Sequence, residues 1–297
     1  MISVFGSVNM DLVAYVAVAP GRGETVTGRA FRMIPGGKGA NQAIAAARAG
    51  ADVAFVGAVG DDPYAAELRR TLTVSGVGTE RLRTVPGSSG IAHIVVDDEA
   101  GNSIIVIPGA NGGLAGPTPE DTAVIAASSA LLLQLELPMA AVVAAARAAK
   151  RAGGVSVILT PAPARELGDE LLAAVDVLVP NEHEAVALTG AASPEDAVRR
   201  LLERVPEIVV TLGAQGALYA SRDGERLRVP PFPVTAVDTT GAGDTFVGAL
   251  AVARAEGRPP ADALRFASAA AALSVQREGA STSMPARADI DALLRTA

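Results

Sequence analysis

Cysteine is absent from the 297 residues, which excludes disulfides, thiolate catalysis and cysteine-held metals. Tryptophan is absent as well, and aromatic residues make up only 3% of the chain. The two histidines, His93 and His183, leave little room for a histidine-based metal site. Neither has a partner at ligand spacing, so both read as structural or exposed. No apolar run reaches about 18 residues, so no transmembrane helix is expected. Basic residues are outnumbered, with 25 Lys plus Arg against 32 Asp plus Glu and a net charge of −7. Without a basic run, and with few aromatics, neither a nucleic acid nor a membrane surface is an expected partner. Lysine is nearly missing: Lys38 and Lys150 are the only two, and the remaining cationic side chains are arginines. The N-terminus is apolar over 2–8 and 12–19, which raises the question of a secretory signal. No positive charge precedes that stretch and Asp11 interrupts it, so the cytoplasm is the expected setting.

Hydrophobic residues make up 49% of the chain, ample for a large core. Length alone would allow two domains at about 150 residues each, but α/β domains of this size also occur as one unit. Short apolar runs at 2–8, 53–59, 130–135, 155–160, 175–179 and 208–212 read as buried strands. Alanine-rich helical stretches lie between them at 40–49, 63–75, 119–127, 138–151 and 194–204. Pro63, Pro119, Pro138 and Pro194 sit where first helical turns are expected. This alternation predicts an α/β fold with a parallel sheet covered on both faces. Two regions break the rhythm, about 11–35 and 90–108, with a hairpin expected at 91–96 and 103–107 around residues 97–102. They predict a small discontinuous β layer, used either as a lid over a cleft or as an edge extension of the main sheet. A second hairpin, 217–221 with 225–229, precedes a proline-rich turn and two long helices, 244–256 and 261–276.

The segment Asp238-Thr239-Thr240-Gly241-Ala242-Gly243-Asp244-Thr245-Phe246 is the most informative. Its small residues bring backbone amides close to a ligand, and a helix begins at once. Free N–H groups and the helix dipole there suit an anion. Asp244 would either cap that helix or act as a carboxylate base beside a phosphate site, the pairing that phosphoryl transfer to a hydroxyl requires. Neither a Walker A loop nor a dinucleotide-binding glycine fingerprint is present. A second cluster, Pro35-Gly36-Gly37-Lys38-Gly39-Ala40-Asn41, reads as a flexible loop or as one presenting amides, an ammonium and a carboxamide. Asn9 and Asp11 would join it at the carboxyl edge of the sheet, where open α/β sheets bind ligands. Glu136, in Gln134-Leu135-Glu136, would accept hydrogen bonds from a polyol or cap the next turn. Asn181 and Glu184 share one face of a helix start. They would either hold Mg²⁺ through water or form an ordinary helix-start pair.

Taken in order, these clusters together with Gly6-Ser7-Val8-Asn9-Met10-Asp11, Pro161-Ala162-Pro163-Ala164, Pro180-Asn181-Glu182 and Thr211-Leu212-Gly213 resemble the ribokinase-like (PfkB) carbohydrate kinases over essentially the whole chain. The resemblance implies one doubly wound kinase domain over 1–297 with a β lid that doubles as a homodimer clasp. It implies that Asn9, Asp11, Gly37, Lys38, Asn41 and Glu136 hold the sugar and that Asp244 deprotonates its 5-hydroxyl. Gly241, Ala242 and Gly243 would supply the anion hole. Asn181 and Glu184 would lie near the phosphates and Mg²⁺. Thr211, Gly213, Gly216 and Gly243 would line the ATP site, with Ser268 near the adenine. Asp238, Thr240, Ser274, Arg277, Gly279 and Ser283 match the positions that hold a monovalent cation, usually K⁺, several through carbonyls. Thr160 departs from the family pattern, which often has Asn there, and is expected beside the phosphates. The activity so implied is ATP-dependent phosphorylation of D-ribose to ribose 5-phosphate. The alternatives are a kinase for another small furanose or a nucleoside, or a sugar-binding regulatory module without catalysis.

Overall fold

The apolar run at the N-terminus forms a wholly buried strand, β1 (Ile2–Phe5). The computed structural model describes residues 1–99 and 101–296. After β1 come β2 (Asn9–Tyr15), β3 (Ala30–Gly36), α1 (Lys38–Arg48), β4 (Val53–Val59), α2 (Ala65–Val74), β5 (Val77–Thr84), β6 (Gly90–Val96) and β7 (Asn102–Ile107). Next are α3 (Pro119–Ala126), β8 (Ala130–Leu133), α4 (Met139–Ala152), β9 (Ser156–Leu159), α5 (Asp169–Leu172), β10 (Val177–Leu178), α6 (Glu182–Thr189), α7 (Pro194–Leu202) and β11 (Glu207–Thr211). The chain continues through β12 (Ala217–Ser221), β13 (Arg226–Val229), α8 (Ala242–Ala255), α9 (Pro260–Ser274) and α10 (Arg287–Thr296).

Nine strands form the main sheet in the order β13-β12-β11-β10-β9-β8-β1-β4-β5. Pairing is parallel from β5 across to β11 and antiparallel for β12 and β13. The α/β, doubly wound, mostly parallel sheet therefore holds. Successive side chains of a strand point to opposite faces. Ile2 and Val4 accordingly enter the core under α1, α8 and α9, while Phe5 enters the core under α4 and α7. From β1 the strand order runs one way through β4 and β5 and the other way through β8 to β11. That reversal between β1 and β8 is a topological switch point, where chain exits diverge and leave a crevice.

The two segments that break the α/β rhythm build a separate four-stranded sheet, ordered β3-β2-β6-β7. Its hairpin turn is closed by Asp97, whose Oδ1 accepts from the Glu99 and Gly101 amides at 3.0 and 2.7 Å. Ala100 of that expected turn lies outside the described residues. Several expectations shift by a few residues. α1 starts at Lys38, β10 shrinks to two residues, and Pro63 precedes its helix instead of opening it. Strand β5 and helices α5 and α10 are additions. Among the described residues, no helix is long and apolar enough to cross a membrane.

Candidate active site

The glycine loop after β3 delivers α1 directly onto the end of β1. The Ala40 amide donates to the Ser7 carbonyl at 2.9 Å and the Gly39 amide to Ser7 Oγ at 3.3 Å. This contact requires a bare Cα: a Cβ on Gly39 would lie 2.5 Å from the Ser7 nitrogen and 2.6 Å from the Gly6 Cα. Glu136, just beyond β8, completes the junction. Its Oε2 accepts from the Lys38 amide at 2.9 Å and from the Ser7 hydroxyl. Glu136 therefore caps the positive end of α1, not the turn that follows it.

Asp244 is also not a helix cap. Gly241, at a left-handed φ of 73°, is the N-cap of α8, and Asp244 is the third helical residue. Its carboxylate is buried beneath α1. Oδ2 accepts from Asn41 Nδ2 at 3.0 Å and Oδ1 from Gln42 Nε2 at 3.1 Å. Burial pushes its pKa up, while Lys38 and the two amide donors pull it down. Lys38 is raised above the ordinary lysine value, chiefly by Asp244, against burial and with help from Glu136, Glu184 and Asp11. The ammonium thus stands among four carboxylates that arrive from β2, the β8 exit, α6 and α8. One of only two lysines in the chain occupies this position.

Asn9 and Asp11 lie on β2, the second-sheet strand that pairs with β3 through Asn9–Gly36 and Asp11–Ile34. Asn9 Oδ1 accepts from Asn111 Nδ2 at 2.7 Å. Asn111 is itself buried, clamped to Val8 through its amide and carbonyl at 3.1 Å each. The Asp11 carboxyl is pushed up to about 7 by burial and by Glu136, with Lys38 opposing. Asn41 Oδ1 is buried without a partner among the described residues, an acceptor left for a ligand hydroxyl.

On the other side of Gly243 a cleft of about 380 Å³ opens between the β11–β12 turn, the proline-rich turn, α8 and α9. Thr211, Gly213, Gly216, Gly243 and Ser268, the residues that the family resemblance assigns to the nucleotide, all line this one cleft. So do Phe232, Val234, Phe246 and Val275, and no charged side chain does among the described residues. An apolar slot with a few hydroxyls and backbone groups suits a planar base. The Ala242 amide is engaged by the Thr239 carbonyl at 3.2 Å. The Gly241 and Gly243 amides have no protein acceptor among the described residues, which leaves two of the three predicted anion-hole donors open. Asn181 bridges to Thr211 at the cleft. It also forms a reciprocal capping box with Glu184, at 2.8 and 2.9 Å. The helix-start reading is therefore correct for this pair. Glu184 Oε1 has no hydrogen-bond partner among the described residues, and burial pushes this carboxyl's pKa up.

The predicted monovalent-cation positions converge in part. The Val237 and Asp238 amides donate to the Val275 carbonyl at 2.7 and 3.1 Å, joining the two segments. Asp238 Oδ1 accepts from Thr240, through amide and hydroxyl, and Oδ2 from the Gly279 amide at 2.8 Å. Burial raises the Asp238 pKa, but these hydrogen bonds outweigh it and leave the group lowered. The Ser274 and Ser283 hydroxyls donate to the Ala271 and Ala280 carbonyls, each at 2.8 Å. With those hydroxyls engaged, Ser274, Arg277, Gly279 and Ser283 would offer only carbonyl oxygens. Carbonyls beside one carboxylate fit a hard alkali cation.

The Thr160 hydroxyl accepts from Gln42 Nε2 at 3.0 Å, the same nitrogen that donates to Asp244. Ser7, Gln42, Asn111 and Gln134 also belong to the site. For Ser7 the available signal was a polar side chain just past an otherwise apolar strand, whereas Gln42, on α1, and Asn111, in the turn after β7, carry no such mark.

The chain is similar to known proteins along nearly its whole length. The family model for pfkB family carbohydrate kinases matches residues 1–287. The chain is 44% identical over 297 residues to the ribokinase of Bacillus subtilis, covering 99% of each. It is 40% identical over 298 residues to a deoxyribokinase of Salmonella typhi, covering 96% of this chain and 95% of that one. Among solved structures, the ribokinase of Arabidopsis thaliana complexed with ribose and ATP superposes with a TM-score of 0.92 at 35% identity. That match covers 99% of this chain and 98% of the other.

Proposed function

The chain belongs to the pfkB family of carbohydrate kinases, and from that premise we propose that it transfers the γ-phosphoryl group of ATP to the 5-hydroxyl of D-ribose, releasing ribose 5-phosphate and ADP. The observation that carries this reading is the position of Asp244. Its chain neighbours Ala242 and Gly243 line the apolar cleft, while its carboxylate faces Asn41 and Lys38 on the other side. A hydroxyl held there would meet its base and a phosphoryl group at one point.

ATP would place its base in the cleft beside Ser268 and its phosphates over the start of α8. The sugar would be held by Asn9, Asp11, Gly37, Lys38, Asn41 and Glu136, with the unpartnered Asn41 Oδ1 taking a hydroxyl proton donor. Asp244 would accept the proton of the 5-hydroxyl as its oxygen attacks phosphorus. The Gly241 and Gly243 amides, with the α8 dipole, would stabilise the charge developing on the transferred group. Glu184 would hold Mg²⁺ through water, and the Asp238–Thr240 and Ser274–Ser283 segments would hold K⁺. Both ions supply positive charge that offsets the phosphates. The whole chain would work as one kinase domain in the cytoplasm, its second sheet closing over the sugar as a lid to exclude water.

Release of ADP measured with Mg-ATP, with and without K⁺, tests the reading across ribose, 2-deoxyribose and a nucleoside. Ribose is expected to turn over fastest, and faster with K⁺. Faster turnover of either other substrate overturns the ribose assignment. Ribose binding by calorimetry without any ADP release would favour a non-catalytic sugar-binding module.

The second sheet also exposes Phe31, Met33 and the run Ile104 to Ile107, an unusual density of apolar side chains for a solvated surface. A second copy of the chain packed on this sheet, giving a homodimer, would cover them. Sedimentation is expected to give a dimer for the wild type and a monomer for Ile105→Lys. A monomeric wild type removes the clasp.

A further inference from the structure

Behind the Asp244 carboxylate lies a buried polar chain that the sugar and nucleotide sites do not account for. Gln42, Gln134 and Thr160 are 0%, 1% and 9% exposed. Gln134 Nε2 donates to Gln42 Oε1 at 2.7 Å. Gln42 Nε2 donates to Thr160 Oγ1 at 3.0 Å and to Asp244 Oδ1 at 3.1 Å. Three elements supply these groups: α1, the end of β8 and the end of β9.

We propose that Gln42 is a positioning residue, its amide held by Gln134 and Thr160 so that it aims one N–H at the Asp244 carboxylate. A primary amide has two N–H donors and one carbonyl. Here the carbonyl is taken by Gln134 and each N–H has one acceptor, so the set is complete. Turning the amide over would set its oxygen against the Asp244 carboxylate and its NH₂ against that of Gln134. Gln134, whose Oε1 has no partner among the described residues, could turn with it, but the contact with Asp244 stays repulsive, and in a dry interior such a mismatch is costly. The amide is therefore locked. Asn41 holds the other carboxylate oxygen from the same helix, one residue earlier. Two donors on two oxygens fix the plane of the carboxylate and leave its remaining lone pairs for the sugar hydroxyl.

The arrangement also has an electrostatic consequence. Lys38 and Glu136 are the charged groups that act on Asp244, from the start of α1 and the exit of β8. Burial favours the protonated acid, which is useless as a base. The Gln42 donor opposes burial because it bonds best to the ionised form. Thr160 thus acts on Asp244 through Gln42.

The inference deepens the kinase reading and rests on it, so its test includes one arm independent of turnover. Gln42→Met keeps the length and removes the donor. It is expected to lower kcat by about 10- to 100-fold, with the sugar KM little changed. The acidic limb of its kcat/KM profile is expected to move to higher pH. Thr160→Val, a smaller change that leaves packing intact, is expected to shift the limb the same way, and Thr160→Ser to restore it. Carbon NMR titration of the Asp244 carboxyl gives the independent reading: its pKa rises in Gln42→Met even if the sugar assignment is wrong. An unmoved pH limb and an unmoved Asp244 titration overturn the inference. So does a loss in Gln42→Met that appears as raised KM and lowered thermal stability with kcat unchanged.

Discussion

Asp244→Ala is expected to lower kcat by about 10²- to 10⁴-fold, the range over which positioned general bases contribute. Sugar affinity should change little, because Asn9, Asp11, Lys38 and Glu136 reach the sugar side from other elements. The split follows from what the carboxylate does. It bonds the reacting hydroxyl most strongly as the proton leaves, so its loss falls chiefly on the transition state and little on ground-state binding. Removing it also strips the acceptor from Asn41 Nδ2 and Gln42 Nε2, so Asp244→Asn and a thermal melt serve as controls for local disorder. Turnover by ADP release and sugar affinity by calorimetry together decide the matter. Near-normal turnover in Asp244→Ala would remove Asp244 as the base.

Gly39→Ala is the second large effect, and it concerns stability before catalysis. The added methyl would stand 2.5 Å from the Ser7 nitrogen and 2.6 Å from the Gly6 Cα, both backbone atoms that cannot rotate aside. Either α1 or the end of β1 has to move. Overpacking of this kind costs about 1–3 kcal/mol. Because Ser7 and Lys38 share the Glu136 carboxylate, the displacement would also open the sugar side of the site. A lowered melting temperature together with a raised sugar KM is the expected result. A Gly39→Ala protein with wild-type melting and KM would mean that the junction yields more easily than its close contacts imply.

The central strands β1, β4, β8 and β9 were legible because a strand buried on both faces reads as a continuous apolar run. Strand β5 was not, for the opposite reason. It is the sheet's edge, and its sequence carries Glu80, Arg81 and Arg83, with Arg81 reaching Asp121 at 2.8 Å. The site shows the same division. Gly36 to Asn41 and Gly241 to Asp244 announce themselves because glycine-rich turns beside polar groups are local features. Gln42, Gln134 and Thr160 do not, because what defines them is pairing across 92 to 202 residues of chain. Charge arithmetic misleads in a related way: a net −7 discourages polyanionic partners, yet amides and one helix terminus need no basic patch to receive phosphate.

Strand β2 carries Asn9 and Asp11 and is hydrogen-bonded wholly within the second sheet, to β3 and β6. On the proposed reading, the surface that would shut over the sugar also carries part of its grip, so grip and closure would be coupled in one equilibrium. Thermodynamic reciprocity extends this to everything else attached to that sheet. The ion pair between Arg32 on β3 and Glu278 beside the Asp238 loop is one such attachment, and a second copy packed on the exposed strands would be another. Each would change sugar affinity by the same factor by which bound sugar strengthens or weakens its own hold.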